Sequence, residues 1–348
     1  MPRSALKLPE IDPTPLFEIF RGSYATELLA AAVAHFDIFS KLKSGPVSFD
    51  ALRAQAGLAV RPAIVLFTAL RAMGLISSNP RGELELTAMA REHLVTGGEF
   101  DVSGYVGLVA DAPNVKEMTE RLKTDKPANA KDEKGAAFIY RDGIESAMEK
   151  ESSARHLTLA LAGRARNCAP ALAQRVPLSS ARVLLDVGGG TGIYSIACLQ
   201  KNPSLKAIVW DRPEVLKVAS EMAAEYGVSA RLECRSGDMF ADPVPSGVDA
   251  VLLSNVLHDW DVPQCRELIA KCVAALPAGG RILIHDVFLN DALDGPLPIA
   301  LYSAALFTLT EGRAYSAAEY RSWLVEAGLK PKEIVPTLVH CGVLEGVK

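Results

Sequence analysis

The chain has 348 residues, 49% of them apolar, and a formal net charge of −4, the profile of an ordinary globular protein with room for two or three domains. That charge balance gives no electrostatic basis for nucleic acid or an anionic membrane as a partner, and no apolar run reaches the ~20 residues of a membrane span. The opening residues, with Pro9, Asp12, Pro13 and Pro15, have neither the basic start nor the apolar centre of a secretion signal.

Leu16 to Leu42 is a long alanine-rich apolar pattern with few charges. It predicts one or two buried helices, apolar on more than one face and so packed against a second subunit as well as their own core. Ser48 is placed to cap a short helix over Phe49 to Ala56, and Gly57 turns the chain. Pro62 then stands in the first turn of a second helix that runs to Met73 before Gly74. Leu75-Ile76, the turn Asn79-Pro80-Arg81-Gly82 and Leu84-Glu85-Leu86 predict a β-hairpin. Helix, turn, helix and hairpin make a winged helix. Its charges disfavour DNA: residues 1–100 hold ten Lys/Arg and ten Asp/Glu. The would-be reading helix carries only Arg61 and Arg71 among Ala63, Ile64, Leu66, Phe67, Leu70 and Met73. A major-groove reader needs phosphate-neutralising and base-reading side chains, so a dimerisation scaffold is the favoured reading.

The polar run Lys123 to Lys134, with Pro127, predicts a loop. Helices follow over Ile144 to Leu161 and Gly163 to Val176. Met148 stands just before the charged run Glu149-Lys150-Glu151. It reads as plain core or as part of a lid, since these helices directly precede the strand described next.

Val183 to Val187 reads as a buried parallel strand, glycine follows at 188, 189, 190 and 192, and Ile193 to Leu199 opens a helix. Strand, glycine turn and helix N-terminus bring backbone N–H groups close to a ligand. A dinucleotide fold wants its third glycine at 193, which is isoleucine, and no Lys-Ser/Thr pair follows the turn for a P-loop. The spacing from Asp186 through Gly188 and Gly190 to Gly192 instead resembles the first motif of S-adenosylmethionine-dependent methyltransferases. Ala207 to Trp210 is the next strand and ends in Asp211, an acid placed to accept both ribose hydroxyls. After the helix Glu214 to Tyr226, the strand Arg231 to Arg235 leads into Ser236-Gly237-Asp238-Met239-Phe240. There Asp238 can accept an adenine amino group and Met239 can lie on the ring. Asp249 to Leu253 is a fourth strand, and Ser254 to Asp261 lies at its carboxyl end, where open parallel sheets bind ligands. A helix over Pro263 to Leu276, the strand Arg281 to Val287 with Asp286 near its end, and an apolar helix over Tyr302 to Leu309 complete the domain. A closing hairpin over Glu333 to Val339 and Gly342 to Val347 makes a seven-stranded doubly wound sheet. The cysteines, 168, 198, 234, 265, 272 and 341, form no C-x-x-C pair and mostly sit in apolar segments. They read as buried free thiols of a cytoplasmic protein, without disulfides or bound metal.

From 183 to 345 the chain resembles the small-molecule O-methyltransferases of the plant caffeic acid and animal hydroxyindole type. The resemblance rests on DVGGGTG at 186–192, Trp210-Asp211-Arg212-Pro213, SGDMF at 236–240, HDWD at 258–261 and Thr310-Glu311-Gly312-Arg313. The winged-helix start extends it over nearly the whole chain. It implies an α/β fold: a Rossmann-like methyltransferase domain (179–348), a mostly α winged-helix dimerisation domain (1–100), and a helical linker and substrate lid (101–178). It also implies an intertwined homodimer, S-adenosylmethionine as cofactor with S-adenosylhomocysteine as product, and a small molecule held between the helical and cofactor domains. His258 is then the general base, since a neutral imidazole can accept the proton that a phenol must lose during attack. Asp286 occupies the first flanking-acid place and would orient it, while the second falls on Ala314. Asp186, Gly188, Gly190, Asp211, Gly237, Asp238 and Met239 would hold the cofactor. Ser254 stands where eukaryotic members have a Lys or Arg contact, and Tyr140 resembles a cofactor-contacting tyrosine of the hydroxyindole branch. Met148, Asp259, Tyr302 and Leu306 would line an apolar substrate site, whereas His285 reads as structural. Two rivals stay open: C- or N-methylation, or a non-methylating relative, on the same fold; and a winged-helix DNA-binding regulator.

Overall fold

The computed structural model describes residues 2–126 and 151–348, with side chains from 155 onward except 157 in the second stretch. These residues fall into two compact units. One contains residues 18–126 and 289–316 and is almost entirely helical. The other contains the remaining described residues and is built on a sheet.

In the helical unit, Ser48 Oγ accepts from Ala51 N–H and starts the helix Phe49–Ala56, which Gly57 ends in the left-handed region. The helix Val60–Ala72 follows. It buries Ala63, Val65, Leu66, Phe67 and Leu70, and the mostly apolar helix Leu297–Leu309 packs along it. Fully burying each such large side chain contributes roughly 1.5–3 kcal/mol. The hairpin strands β1 (Ile76–Ser78) and β2 (Leu84–Leu86) pair antiparallel, and Val47 bridges to Leu84 on the other side. The helix Thr14–Arg21, expected to be buried, instead exposes Leu16 (70%), Ile19 (77%) and Phe20 (80%). Its apolar face is not covered by the described residues.

Both arginines of the would-be reading helix point inward. The Arg61 guanidinium donates to Asp125 Oδ1 (2.9 Å) and to the carbonyls of Asp125 (3.1 Å), Thr310 (3.1 Å) and Gly312 (3.2 Å), and it lies over the Phe307 ring. Arg71 donates to the Leu293 carbonyl at 3.3 Å.

In the other unit, β3 (Val183–Val187), β4 (Lys206–Asp211), β5 (Leu232–Ser236), β6 (Ala250–Ser254) and β7 (Arg281–Val287) form a parallel sheet in the order β5-β4-β3-β6-β7. The edge beyond β7 differs from the expected hairpin. Two two-residue strands, β8 (Lys330–Pro331) and β9 (Val335–Pro336), pair separately with β10 (Cys341–Val347), which is antiparallel to β7. Their registers on β10 differ by one residue, with Gly346 opposite Pro331 and Gly342 opposite Pro336, so the two do not join into one continuous ladder. The sheet therefore has eight strands where seven were expected, because its last member is broken in two. A helix over Ala317–Glu326, unforeseen in the sequence, precedes that edge. The two helices expected on either side of Gly163 are a single one, Glu151–Arg175. Gly163 costs ~1 kcal/mol there, and packing of this helix against Ile193–Lys201 and Pro213–Glu225 outweighs it. The core of the unit comprises Leu184, Ile196, Val209, Leu252 and Leu283 with Leu172 from the long helix. No described helix is long and apolar enough to cross a membrane.

Replacing Arg61 by Met should destabilise the helical unit by about 3 kcal/mol, because it leaves the Asp125 carboxylate and two buried carbonyls without their donor. Urea unfolding followed by limited proteolysis of this unit measures it. An unchanged midpoint would mean that the buried guanidinium contributes nothing net.

Candidate active site

The carboxyl ends of β3 to β7 bring the sequence motifs together. Gly188 N–H donates to the Trp210 carbonyl and Gly190 N–H to Asp211 Oδ2, both at 2.8 Å, so the glycine turn is tied to the end of β4. Gly190 adopts φ +60° with nothing within 4 Å of where a side chain would begin, an open backbone face that only glycine holds without strain. Beneath the turn, Asp186 is fully buried. Ser195 Oγ donates to its Oδ2 at 2.7 Å, and its Oδ1 is buried without a partner. Burial pushes its pKa up to about 7 against the pull of that hydroxyl. Asp211 is also raised by burial, opposed by the N–H groups of Gly190 and Arg212.

These features fit a nucleoside carrying a cationic head. A carboxylate oxygen has two lone pairs, and each Asp211 oxygen takes one backbone N–H, on Gly190 and Arg212. Its outer lone pairs can receive a cis-diol. The orphaned Asp186 oxygen suits a donor reached through the turn.

After β5, Asp238 Oδ1 accepts from Phe240 N–H (2.7 Å) and Ala241 N–H (3.1 Å), which fixes the loop. The methyl of Met239 comes within 3.6 Å of where a Gly188 side chain would begin, so the two expected cofactor contacts are neighbours. Gly237 has a packing reason for being glycine: any side chain would overlap the Trp210 indole.

His258 lies on a short 3₁₀ turn, Leu257–Asp259, after β6, and is 3% exposed. Its Nδ1 is 2.6 Å from Asp286 Oδ1 at the end of β7, and Asp259 Oδ1 is 3.6 Å from Nε2. Asp286 is itself fully buried and accepts from Val287 N–H (2.8 Å) on Oδ1 and from Tyr320 OH (3.1 Å) on Oδ2. Burial opposes the imidazolium, but Asp286 and Asp259 outweigh it, so the His258 pKa stands above the ordinary imidazole value. The same burial pushes Asp259 up to about 6 against the attraction of His258. The geometry leaves Nε2 as the ring atom able to take a proton.

Ser254 is also engaged: its Oγ is 2.8 Å from His285 Nδ1 and accepts from Asn255 Nδ2 at 3.2 Å. His285 is fully buried between Ser254 and Thr337 Oγ1 (3.1 Å), and burial with the nearby Arg164 charge lowers its pKa to about 3. Tyr302 and Leu306 belong to the helical unit, where Arg21 stacks 3.7 Å over the Tyr302 ring and Leu306 is buried. Ala314 is there too, its N–H donating to Ser303 Oγ. Tyr140 and Met148 lie outside the described residues, as do residues 127–134 of the loop expected over Lys123 to Lys134; Lys123 and Thr124, expected in that loop, instead close the helix Pro113–Thr124. All six cysteines are free. Sequence reading missed Tyr320, Arg164, Tyr194 and Asn255. Tyr320 and Arg164 are single residues on helices with no motif around them, whereas Tyr194 follows the glycine motif and Asn255 precedes the HDWD run, and those positions were usable signals.

Residues 131–330 match the family model described as an O-methyltransferase domain. The 3-hydroxy-5-methyl-1-naphthoate 3-O-methyltransferase of Streptomyces sahachiroi is 37% identical over 97% of this chain and 95% of its own length. The L-tyrosine C(3)-methyltransferase of Streptomyces lavendulae is 29% identical over 92% of this chain and 88% of its own length. A crystal structure of an O-methyltransferase family 2 protein from Planctomyces limnophilus, in complex with apigenin, is similar with a TM-score of 0.89 and 48% identity over 99% of each chain.

His285 remains neutral in the folded chain down to about pH 3, while in the unfolded chain it takes a proton near 6.5. Its contribution to stability is therefore full above the unfolded pKa and shrinks as pH falls. Calorimetry should show the melting-temperature advantage of the native chain over His285→Asn narrowing between about pH 7 and about pH 5. A pH-independent difference would contradict a buried neutral ring.

Proposed function

Because the chain belongs to the O-methyltransferase family and is an S-adenosylmethionine-dependent O-methyltransferase, we propose that it methylates a hydroxyl of an aromatic or polyketide-like small molecule with His258 as general base. The observation that carries this is the short contact between His258 Nδ1 and buried Asp286 at the ends of β6 and β7. When bound, S-adenosylmethionine supplies a methyl already activated on a sulfonium. The chain's own residues must then align the acceptor and remove its proton. Asp286, held by Tyr320 and Val287 N–H, fixes the proton of His258 on Nδ1 and leaves Nε2 basic. The raised imidazole pKa strengthens the base, and Asp286 and Asp259 stabilise the imidazolium once the proton arrives.

Asp186, Gly188, Gly190, Asp211, Gly237, Asp238, Met239, Ser254 and Tyr140 are proposed for the cofactor, and Met148, Asp259, Tyr302 and Leu306 for the substrate. The naphthoate and apigenin in the names of the relatives support an aromatic acceptor. We read residues 1–100 as a winged-helix dimerisation domain, 101–178 as a linker and lid, and 179–348 as the methyltransferase domain. The exposed Leu16, Ile19 and Phe20 support a homodimer, and the free thiols a cytoplasmic location. The inward arginines, Arg61 and Arg71, count against the DNA-binding rival. C-methylation is the second reading, favoured by the tyrosine C-methyltransferase relative and by Ala314 at the second acid place.

His258→Ala should lower kcat on a phenolic acceptor by roughly 10²–10⁴-fold with calorimetric affinity for S-adenosylhomocysteine unchanged. Mass spectrometry with isotope-labelled methyl should place the label on oxygen. Native kcat in the variant would sink the base assignment, and label on carbon would select the second reading.

A further inference from the structure

At the turn that leads to the proposed base lies a part-buried polar network that the transfer chemistry above does not use. The chain leaves β6 through Asn255, whose φ of +55° is left-handed, a conformation that asparagine tolerates better than most residues. His258 follows three residues later, so the Asn255 turn sets its starting direction. The Asn255 side chain is gripped from several sides. Arg164 Nη1, on the helix Glu151–Arg175, donates to its Oδ1 at 2.7 Å. Its own amide nitrogen donates to Ser254 Oγ (3.2 Å) and to Tyr194 OH (3.4 Å), the latter on the helix that starts at the glycine turn. Arg164 Nη2 also donates to Cys341 Sγ at 3.0 Å, at the first residue of β10.

Resting on the reading of His258 as base, we propose that Arg164 is a positioning residue for methyl transfer. Its guanidinium, anchored on Asn255 and Cys341, holds the turn that launches His258 and sets a fixed positive charge behind the ring. The charge matters because of what else faces His258: Asp286 from β7, with Tyr320 behind it; Asp259 from its own turn; and Cys341 from β10. Two carboxylates favour the imidazolium, which cannot accept a proton. Burial opposes them most and the Arg164 charge adds to it, though the carboxylates still hold the pKa above the ordinary imidazole value; Arg164 thus restrains how far the ring is pushed toward the imidazolium. A guanidinium suits both tasks. Its planar fork reaches an amide oxygen and a sulfur at once, and it does not lose its charge.

Three variants separate anchoring from charge. Arg164→Gln removes the cation and keeps an amide donor. Arg164→Lys keeps the cation and loses the fork. Asn255→Gly keeps the left-handed backbone and deletes the amide that is gripped. The His258 titration is followed by NMR on protein with ¹³C-labelled histidine, the signal assigned by its loss in His258→Ala. It should move to higher pH in Arg164→Gln and stay native in Arg164→Lys, and the acid limb of kcat/KM should follow it. Both Arg164→Lys and Asn255→Gly should lower kcat by roughly tenfold with little change in KM, the mark of a misplaced base. A His258 titration that is unmoved in Arg164→Gln overturns the charge role, and native kcat in Asn255→Gly overturns the anchoring role. The titration needs no turnover, so its result stands apart from failure of the base assignment, which His258→Ala reports.

Discussion

A charged carboxylate with no exposure to water is costly unless donors surround it. Asp286 draws three: the His258 ring, the Val287 amide and the Tyr320 hydroxyl. Each belongs to a different local structure. The amide is part of β7 itself, the ring sits on the turn after β6, and the hydroxyl comes from the helix Ala317–Glu326. Tyr320 is in turn wedged edge-on against Phe288 and Trp323. The position of the imidazole is thus set by the packing of an entire sheet end, and the flexibility of a loop residue is removed from it.

The parallel sheet was legible because its strands are short apolar runs punctuated by glycine and acids at their carboxyl ends. Asp186, Asp211 and Asp286 mark three of those ends, and the glycine turn needed only counting. His258 could be placed because its motif follows β6 directly. The partners that hold these residues were not legible. Tyr320 is 34 residues from Asp286 and Arg164 is 91 from Asn255, distances over which no periodic pattern operates. Asp259 was only partly legible. Its place in the HDWD run suggests a substrate contact, and the structure adds a second neighbour that no pattern announces, the His258 imidazole at 3.6 Å.

Local rules also misled in a consistent direction. Gly163 invited a helix break, but a helix packed along two neighbours tolerates the missing side chain. The two arginines of Val60–Ala72 looked like a sparse basic face and are instead internal ties to carbonyl oxygens. In both cases tertiary contacts overrode what a short window suggests. Both cations of this helix are accounted for inside the unit.

The broken strand beside β10 has a consequence beyond topology. A sheet that ends in an unpaired row of donors and acceptors is a template on which a second chain can add. Here the outermost segments are two residues long and each includes a proline, Pro331 and Pro336, so little of that template exists. Each proline removes one amide hydrogen from this border, so the edge offers an added strand few donors to pair with.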